Sequence, residues 1–223
     1  MIILKENRTF SGFTLVEMAI VLAVVALLLG GLLPTISSQM EQAQRKETRS
    51  SLSEIQQALL GYAIIYGQLP CPTSITDPAD EDYGISPATC NVAPTTEGYL
   101  PWKTLGVSEV DGWGVKRNAE TDLWIGYWRY RLDRNFSTQF NLSTGFADTL
   151  AIKDNALNYI TTGTERPVAI VFSTGKDLTE NAENAVFNNT YQSDNPSTTF
   201  DDMLIWVSRP QLFNRMVSAG KLP

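Results

Sequence analysis

The sequence predicts an α+β fold, with one long N-terminal α-helix packed on an antiparallel β-sheet. Residues 13–33, FTLVEMAIVLAVVALLLGGLL, are apolar on every helical face and carry a single charge, Glu17. Beyond Pro34, apolar residues recur at spacings of three and four, which marks one face of a continuing helix. Short runs rich in aromatic and β-branched residues then cluster in the second half. Strands grouped after one helix favour an antiparallel sheet over alternating βα units.

The helix comes first. At about 1.5 Å per residue, residues 13–33 are long enough to cross a hydrocarbon core. Leu52, Ile55, Leu59, Tyr62 and Tyr66 follow on one face, while Glu41, Gln42, Arg45, Lys46 and Arg49 fall largely on the other. Pro34 removes one hydrogen bond from the continuing helix and favours a kink. Gly67 and Pro70 end it. The segments expected are a leader at 1–12, a transmembrane helix at 13–34, an amphipathic continuation at 35–66 and an exported head at 67–223.

Within the head, residues 67–122 are rich in proline and turn residues and read as a long loop region. Trp124–Leu132 (WIGYWRYRL) reads as one strand with Trp124, Trp128, Tyr130 and Leu132 on one side. Val168–Ser173 and Met203–Val207 read as two more. A short last helix is expected, with Pro210 near its start, Leu212, Phe213, Met216 and Val217 turned inward, and Gly220 at its end.

Composition narrows the chemistry. The net charge of −7 argues against a broad nucleic-acid grip, and no direct nucleic-acid site is expected. There is no histidine, so no His triad, His metal site or His general base exists. Cys71 and Cys90 read as a disulfide if the domain is exported, and as two buried thiols if it is not. The bond would close a loop of about 20 residues, worth roughly 3 kcal/mol in the chain-entropy model.

The segment before the apolar run carries Lys5 and Arg8 and ends in Gly12. A secretory signal places its small-residue cleavage site after its apolar stretch. Here the small residue stands before it, so a cut after Gly12 would leave the hydrophobic helix on the mature chain. Charge alone leaves the orientation open, because Arg45, Lys46 and Arg49 lie beyond the helix. The cysteine pair favours an exported C-terminal side. Glu17 is costly in lipid, and such residues are functional by default. Snorkelling to the headgroups is one explanation. Pairing with a cation inside the bilayer is the other, and a cut after Gly12 would supply one as the new amine of Phe13.

The run Gly12-Phe13-Thr14-Leu15-Val16-Glu17, followed by an apolar helix and Pro34, resembles the signal of type IV pilins and type II secretion pseudopilins. The resemblance implies that a prepilin peptidase cuts between Gly12 and Phe13 and methylates Phe13. It implies that Glu17 pairs with the N-terminal amine of a neighbouring pilin or pseudopilin subunit during assembly. It also implies a pilin-like fold, a single pass through the bacterial inner membrane with a cytoplasmic N-terminus and periplasmic head, and later residence in a fibre. Looser similarity covers Leu100-Pro101-Trp102, Leu105-Gly106, Asp111-Gly112-Trp113-Gly114, Arg129-Tyr130-Arg131, the stretch Phe172 to Asp177, and the stretch Phe200 to Trp206.

Major pseudopilins of this kind carry a calcium in the loop before the last strand, so Asp177, Asp201 and Asp202 are candidate Ca²⁺ ligands here. The alternative is a solvated acidic loop, because this loop is longer, Asn-rich and lacks the glycine-rich family pattern. An enzyme is not expected: adjacent Asp201 and Asp202 would point to opposite faces of a strand. Trp124, Tyr127, Trp128 and Tyr130 suit either a core or a sugar or peptide groove. The function expected is a structural subunit, a minor pilin or pseudopilin. The alternative is a membrane-anchored adhesive or ligand-binding module that uses a pilin helix as its anchor.

Overall fold

The structure, a computed structural model, describes residues 12–90, 97–186 and 188–222, without the side chains of 29–36. Most of the expected leader therefore lies outside the described residues. The chain divides into two units, Met1–Gln42 and Ala43–Pro223.

Helix α1 (Leu15–Tyr66) contributes to both units. In the first unit its apolar side chains, among them Leu15, Val16, Ile20 and Leu27, are exposed. Among the described residues no helix is long and apolar enough to cross a membrane. The span expected at 13–33 runs into the undescribed side chains.

The second unit begins inside α1, because residues from Thr48 onward pack into its core. Thr48, Leu52, Ile55, Leu59 and Ala63 are buried at spacings of three and four. Leu60 widens this stripe. Tyr66 departs from the expected face and is 55% exposed, leaning on Tyr62 with ring centroids 4.3 Å apart. Gly67, at φ +72°, closes the helix, and its N–H donates to the Ala63 carbonyl at 2.8 Å.

Against this stripe lies a four-stranded antiparallel sheet in the order β1 (Glu97–Tyr99), β4 (Arg129–Leu132), β6 (Pro167–Ser173) and β8 (Met203–Ser208). This is a pilin-like α+β arrangement, a helix followed by an antiparallel sheet. Central strand β6 is buried along its whole length. Its side chains alternate: Ala169 and Val171 join Trp128, Tyr130 and Leu132 against α1, while Ile170 and Phe172 face away. The far face is covered by a two-stranded parallel pair, β5 (Ala151–Lys153) and β7 (Thr190–Gln192), through Ile152 and Tyr191. Each aliphatic side chain so buried contributes about 1.5–3 kcal/mol. Edge strand β8 is tied to the helix where the Gln56 side-chain amide donates to the Trp206 carbonyl at 2.7 Å.

Three sequence expectations are corrected. Trp124–Leu132 is two strands, not one: β3 (Ile125–Tyr127) pairs with β2 (Val110–Val115), and β4 turns into the main sheet. Gly126, at φ +69°, permits the break; a Cβ there would lie 2.3 Å from the Gly114 Cα. Residues 67–122 contain regular structure, namely β1, β2 and the short helix α2 (Trp102–Leu105). In the last helix, α3 (Arg209–Ser218), Leu212, Phe213 and Met216 are buried but Val217 is 45% exposed. Ser208 caps α3 by accepting the Gln211 N–H at 3.3 Å.

Candidate functional site

The first site is the start of α1. Thr14 stands ahead of the helix, and its hydroxyl accepts the Glu17 N–H at 3.2 Å. The Glu17 carboxylate in turn accepts the Thr14 N–H and the Thr14 hydroxyl, both at 2.9 Å. These reciprocal bonds form a capping box, satisfying two donors that a helix start otherwise leaves open. Glu17 is thus held by its own chain beside Phe13, whose side chain is 83% exposed. Gly12 has open space where a Cβ would be. Reasoning from sequence singled out Glu17 but passed over Thr14, although Thr-x-x-Glu ahead of an apolar helix is itself a capping-box pattern.

A family model of the prokaryotic N-terminal methylation motif matches residues 7–33. The chain carries the type IV pilin and pseudopilin signal. No curated protein and no solved structure matches it. The pilin signal points to a structural subunit rather than an enzyme. It implies processing by prepilin peptidase, membrane anchoring, and assembly with other pilins.

Three of the loosely similar stretches, 111–114, 172–177 and 200–206, meet at one junction. The Ser173 hydroxyl donates to Asp111 Oδ2, and the Asp111 Oδ1 accepts the Trp113 N–H at 2.9 Å. Gly112 sets β2 directly on α1, where its N–H donates to the Thr48 hydroxyl at 3.0 Å. The same Ser173 oxygen accepts the Gly175 N–H at 3.0 Å. Gly175, at φ +67°, turns the chain under Asp201.

Asp201 and Asp202 then fasten the 174–186 loop. Asp201 Oδ2 accepts the N–H groups of Lys176 and Asp177 at 2.6 and 3.1 Å. Asp202 Oδ2 accepts the Asn181 N–H at 3.0 Å and the Asn184 amide at 2.8 Å. Asp177 Oδ1 accepts the Thr179 N–H at 2.9 Å, and its Oδ2 accepts the Asn181 amide at 3.1 Å. Burial, reinforced by the neighbouring Asp201 and Asp177 carboxylates, pushes the Asp202 carboxyl up to about 7.

In this structure N–H groups hold the three aspartates. Ca²⁺ takes six to eight oxygens, whereas N–H donors occupy most of the carboxylate positions here. Two oxygens, Oδ1 of Asp201 and of Asp202, are buried without a hydrogen-bond partner among the described residues. Among those residues no group of three or more Asp, Glu or Cys side chains is gathered as a metal site. The aspartates organise the loop through N–H donors.

Cys71 and Cys90 form a disulfide. Next to it, Thr73 bridges to Tyr99 by paired backbone hydrogen bonds at 3.0 and 2.9 Å, fastening the loop to edge strand β1. The four aromatic groove candidates separate. Trp128 and Tyr130 are buried in the main core. Trp124 and Tyr127 stack with centroids 3.8 Å apart in a second cluster with Tyr83 and Val110.

Proposed function

We propose that this chain is a minor subunit of a type IV pilus or type II secretion pseudopilus. Prepilin peptidase cuts it between Gly12 and Phe13 and methylates Phe13. The mature chain waits in the inner membrane with its head in the periplasm, and Glu17 pairs with the amine of a neighbouring subunit as it enters the fibre. The observation that carries this is the pilin signal with Glu17 at its fifth position after the cut. The Thr14–Glu17 capping box supports it: a carboxylate satisfied within its own chain can wait in lipid, then exchange those bonds for a stronger charge-assisted one. A head larger than a bare fibre scaffold requires supports a minor rather than a major role.

The test is mass spectrometry of the mature N-terminus, together with quantification of the chain in sheared fibres. N-methylphenylalanine at the N-terminus and scarce incorporation are expected. An uncut chain, or one cut beyond Leu33, sinks the proposal.

A further inference from the structure

Strand β8 is the last of the main sheet and pairs on one side only, with β6. The Asp133 N–H donates to the Val168 carbonyl at 2.9 Å, which fixes the alternation along β6. Val168, Ile170 and Phe172 turn their backbone groups toward β4, and Ala169, Val171 and Ser173 turn theirs toward β8. Met203, Ile205 and Val207 answer them. Leu204 and Trp206 therefore point their N–H and C=O groups away from the sheet. We propose that this outer edge is a docking site for an extended segment of a partner protein, which adds to the sheet as a fifth strand and carries a carboxylate.

Three observations converge on a strand. The first is that this edge stays open while others are closed. Thr73 bridges the outer side of β1, and Tyr159 bridges β5. The Asn184 side-chain amide closes β7, donating to the Gln192 carbonyl at 3.2 Å and accepting the Gln192 N–H at 2.7 Å. On β8 the Gln56 amide meets the Trp206 carbonyl. The Leu204 N–H and C=O and the Trp206 N–H have no hydrogen-bond partner among the described residues. The second is composition. Met203–Ser208 reads Met-Leu-Ile-Trp-Val-Ser, without the charge or proline that discourages pairing at an edge. The third is space. A slot of about 150 Å³ lies at this edge, lined by Leu204 and Ile205, by Arg49 and Leu52 of α1, and by Asp194 and Pro196 of the loop before β8.

Main-chain bonds select an extended chain, and the walls select its side chains. Arg49 is exposed and has no ion pair or hydrogen bond among the described residues. Asp194 is already engaged: its Oδ2 accepts the Asn155 N–H at 2.8 Å and its Oδ1 the Asn195 N–H at 2.7 Å. The unmet charge of the slot is thus positive, and a carboxylate on the incoming strand complements it. Leu52, Leu204 and Ile205 offer apolar contact to β-branched residues beside that carboxylate. A second copy of this chain does not suit the edge. Two-fold symmetry would set β8 antiparallel to its copy and turn one α1 against the other. The pilin signal implies that both chains enter one membrane in the same direction, so this choice of occupant rests on the pilin reading.

The isotope-labelled full chain in detergent is titrated with acetyl-Thr-Val-Glu-Val-Thr-Val-Thr-amide and followed by NMR. Saturable shifts of the Leu204 and Trp206 amides, with Kd of about 1 mM or tighter, are expected. Solvent exchange of those two amides should slow about fivefold at saturating peptide. Replacing the peptide glutamate by lysine should weaken binding about fivefold, and Arg49→Glu should reverse that preference. Arg49 is exposed, so that variant keeps the fold and decides the matter if the next one misfolds. Leu204→Pro removes the outward N–H without removing a bond to β6, and should weaken binding about tenfold. Absence of saturable binding at about 5 mM overturns the proposal. So does a charge preference that Arg49→Glu leaves unchanged. A dimer in sedimentation that Leu204→Pro dissolves would give the edge to a second copy and overturn it as well. None of these results alters cleavage after Gly12, which mass spectrometry tests separately.

Discussion

Ser173 and Asp111, 62 residues apart in sequence, share a buried hydrogen bond from the serine hydroxyl to the aspartate carboxylate. The bond joins the end of central strand β6 to strand β2 at the point where β2 seats on helix α1. The same hydroxyl accepts the Gly175 N–H, so one oxygen ties the sheet, the helix-docking strand β2 and the loop after β6 together. Ser173→Ala would leave Asp111 buried without that donor and should cost about 1–3 kcal/mol. Urea unfolding of the full chain in detergent measures it, and an unchanged midpoint would count against the junction.

Gly112 is a second test of the same contact. A Cβ there would lie 2.4 Å from the Gln44 carbonyl oxygen and 2.9 Å from the Thr48 hydroxyl. Helix backbone cannot step aside as a side-chain tip can, so Gly112→Ala should destabilise by about 2–3 kcal/mol. Gly106 meets no atom within 4 Å, but its φ is +69°. Gly106→Ala should therefore cost only the smaller conformational penalty, about 1 kcal/mol. Thermal unfolding of the two variants side by side ranks them, and equal losses would refute the close-approach argument.

Asp202 makes stability depend on pH in the direction opposite to most surface carboxylates. Its folded pKa, about 7, lies above the ordinary aspartate value of 3.8, so the native state binds this proton more tightly than the unfolded chain. The resulting stabilisation is fully present below about pH 4 and is lost as pH rises through about 7, with linkage setting an upper limit of about 4 kcal/mol. Burial raises the Asp111 carboxyl too and adds in the same direction. The melting temperature should therefore fall between pH 5 and pH 8. In Asp202→Asn the slope should flatten, because the amide oxygen still accepts from Asn181 and Asn184 while no proton is exchanged. A slope identical to that of the native chain would show that Asp202 is not the group responsible.

Reduction of Cys71–Cys90 should loosen the loop more than the sheet. Among the described residues the loop meets β1 through the isolated Thr73–Tyr99 bridge, whereas β6 is hydrogen-bonded to strands on both sides. Hydrogen exchange after reduction should rise across residues 71–90 and change little in β6. The stability loss should be about 3 kcal/mol. Uniform deprotection of the whole head would mean that the bond supports the global fold instead.

Glu17→Leu should leave membrane insertion and cutting after Gly12 intact, and should block entry into fibres. Leucine is the more favourable residue in lipid, so insertion gains nothing from the carboxylate. Glu17→Asp, one methylene shorter, should be partly impaired. Co-purification with sheared fibres, normalised to membrane level, is the measurement. Incorporation of Glu17→Leu at the native level would favour an anchored binding module over a fibre subunit.

Elements whose signal is local were legible in the amino-acid sequence. A 3.6-residue period in Leu52, Ile55 and Leu59 marks the buried stripe of α1, because one helix needs only its own spacing to present one face. β6 and β8 were legible as short apolar runs, and the pilin signal as a contiguous motif. Features that depend on contacts between distant residues emerged with the fold. Trp124–Leu132 breaks into two strands because Gly126 and Gly114 meet backbone to backbone, and nothing within that run reveals its partner. Asp177, Asp201 and Asp202 looked like metal ligands because carboxylates cluster in that part of the sequence. Folding brings the Asn184 amide and the backbone N–H groups of Lys176, Asp177 and Asn181 to Asp201 and Asp202 from about twenty residues away, a meeting that no local pattern displays.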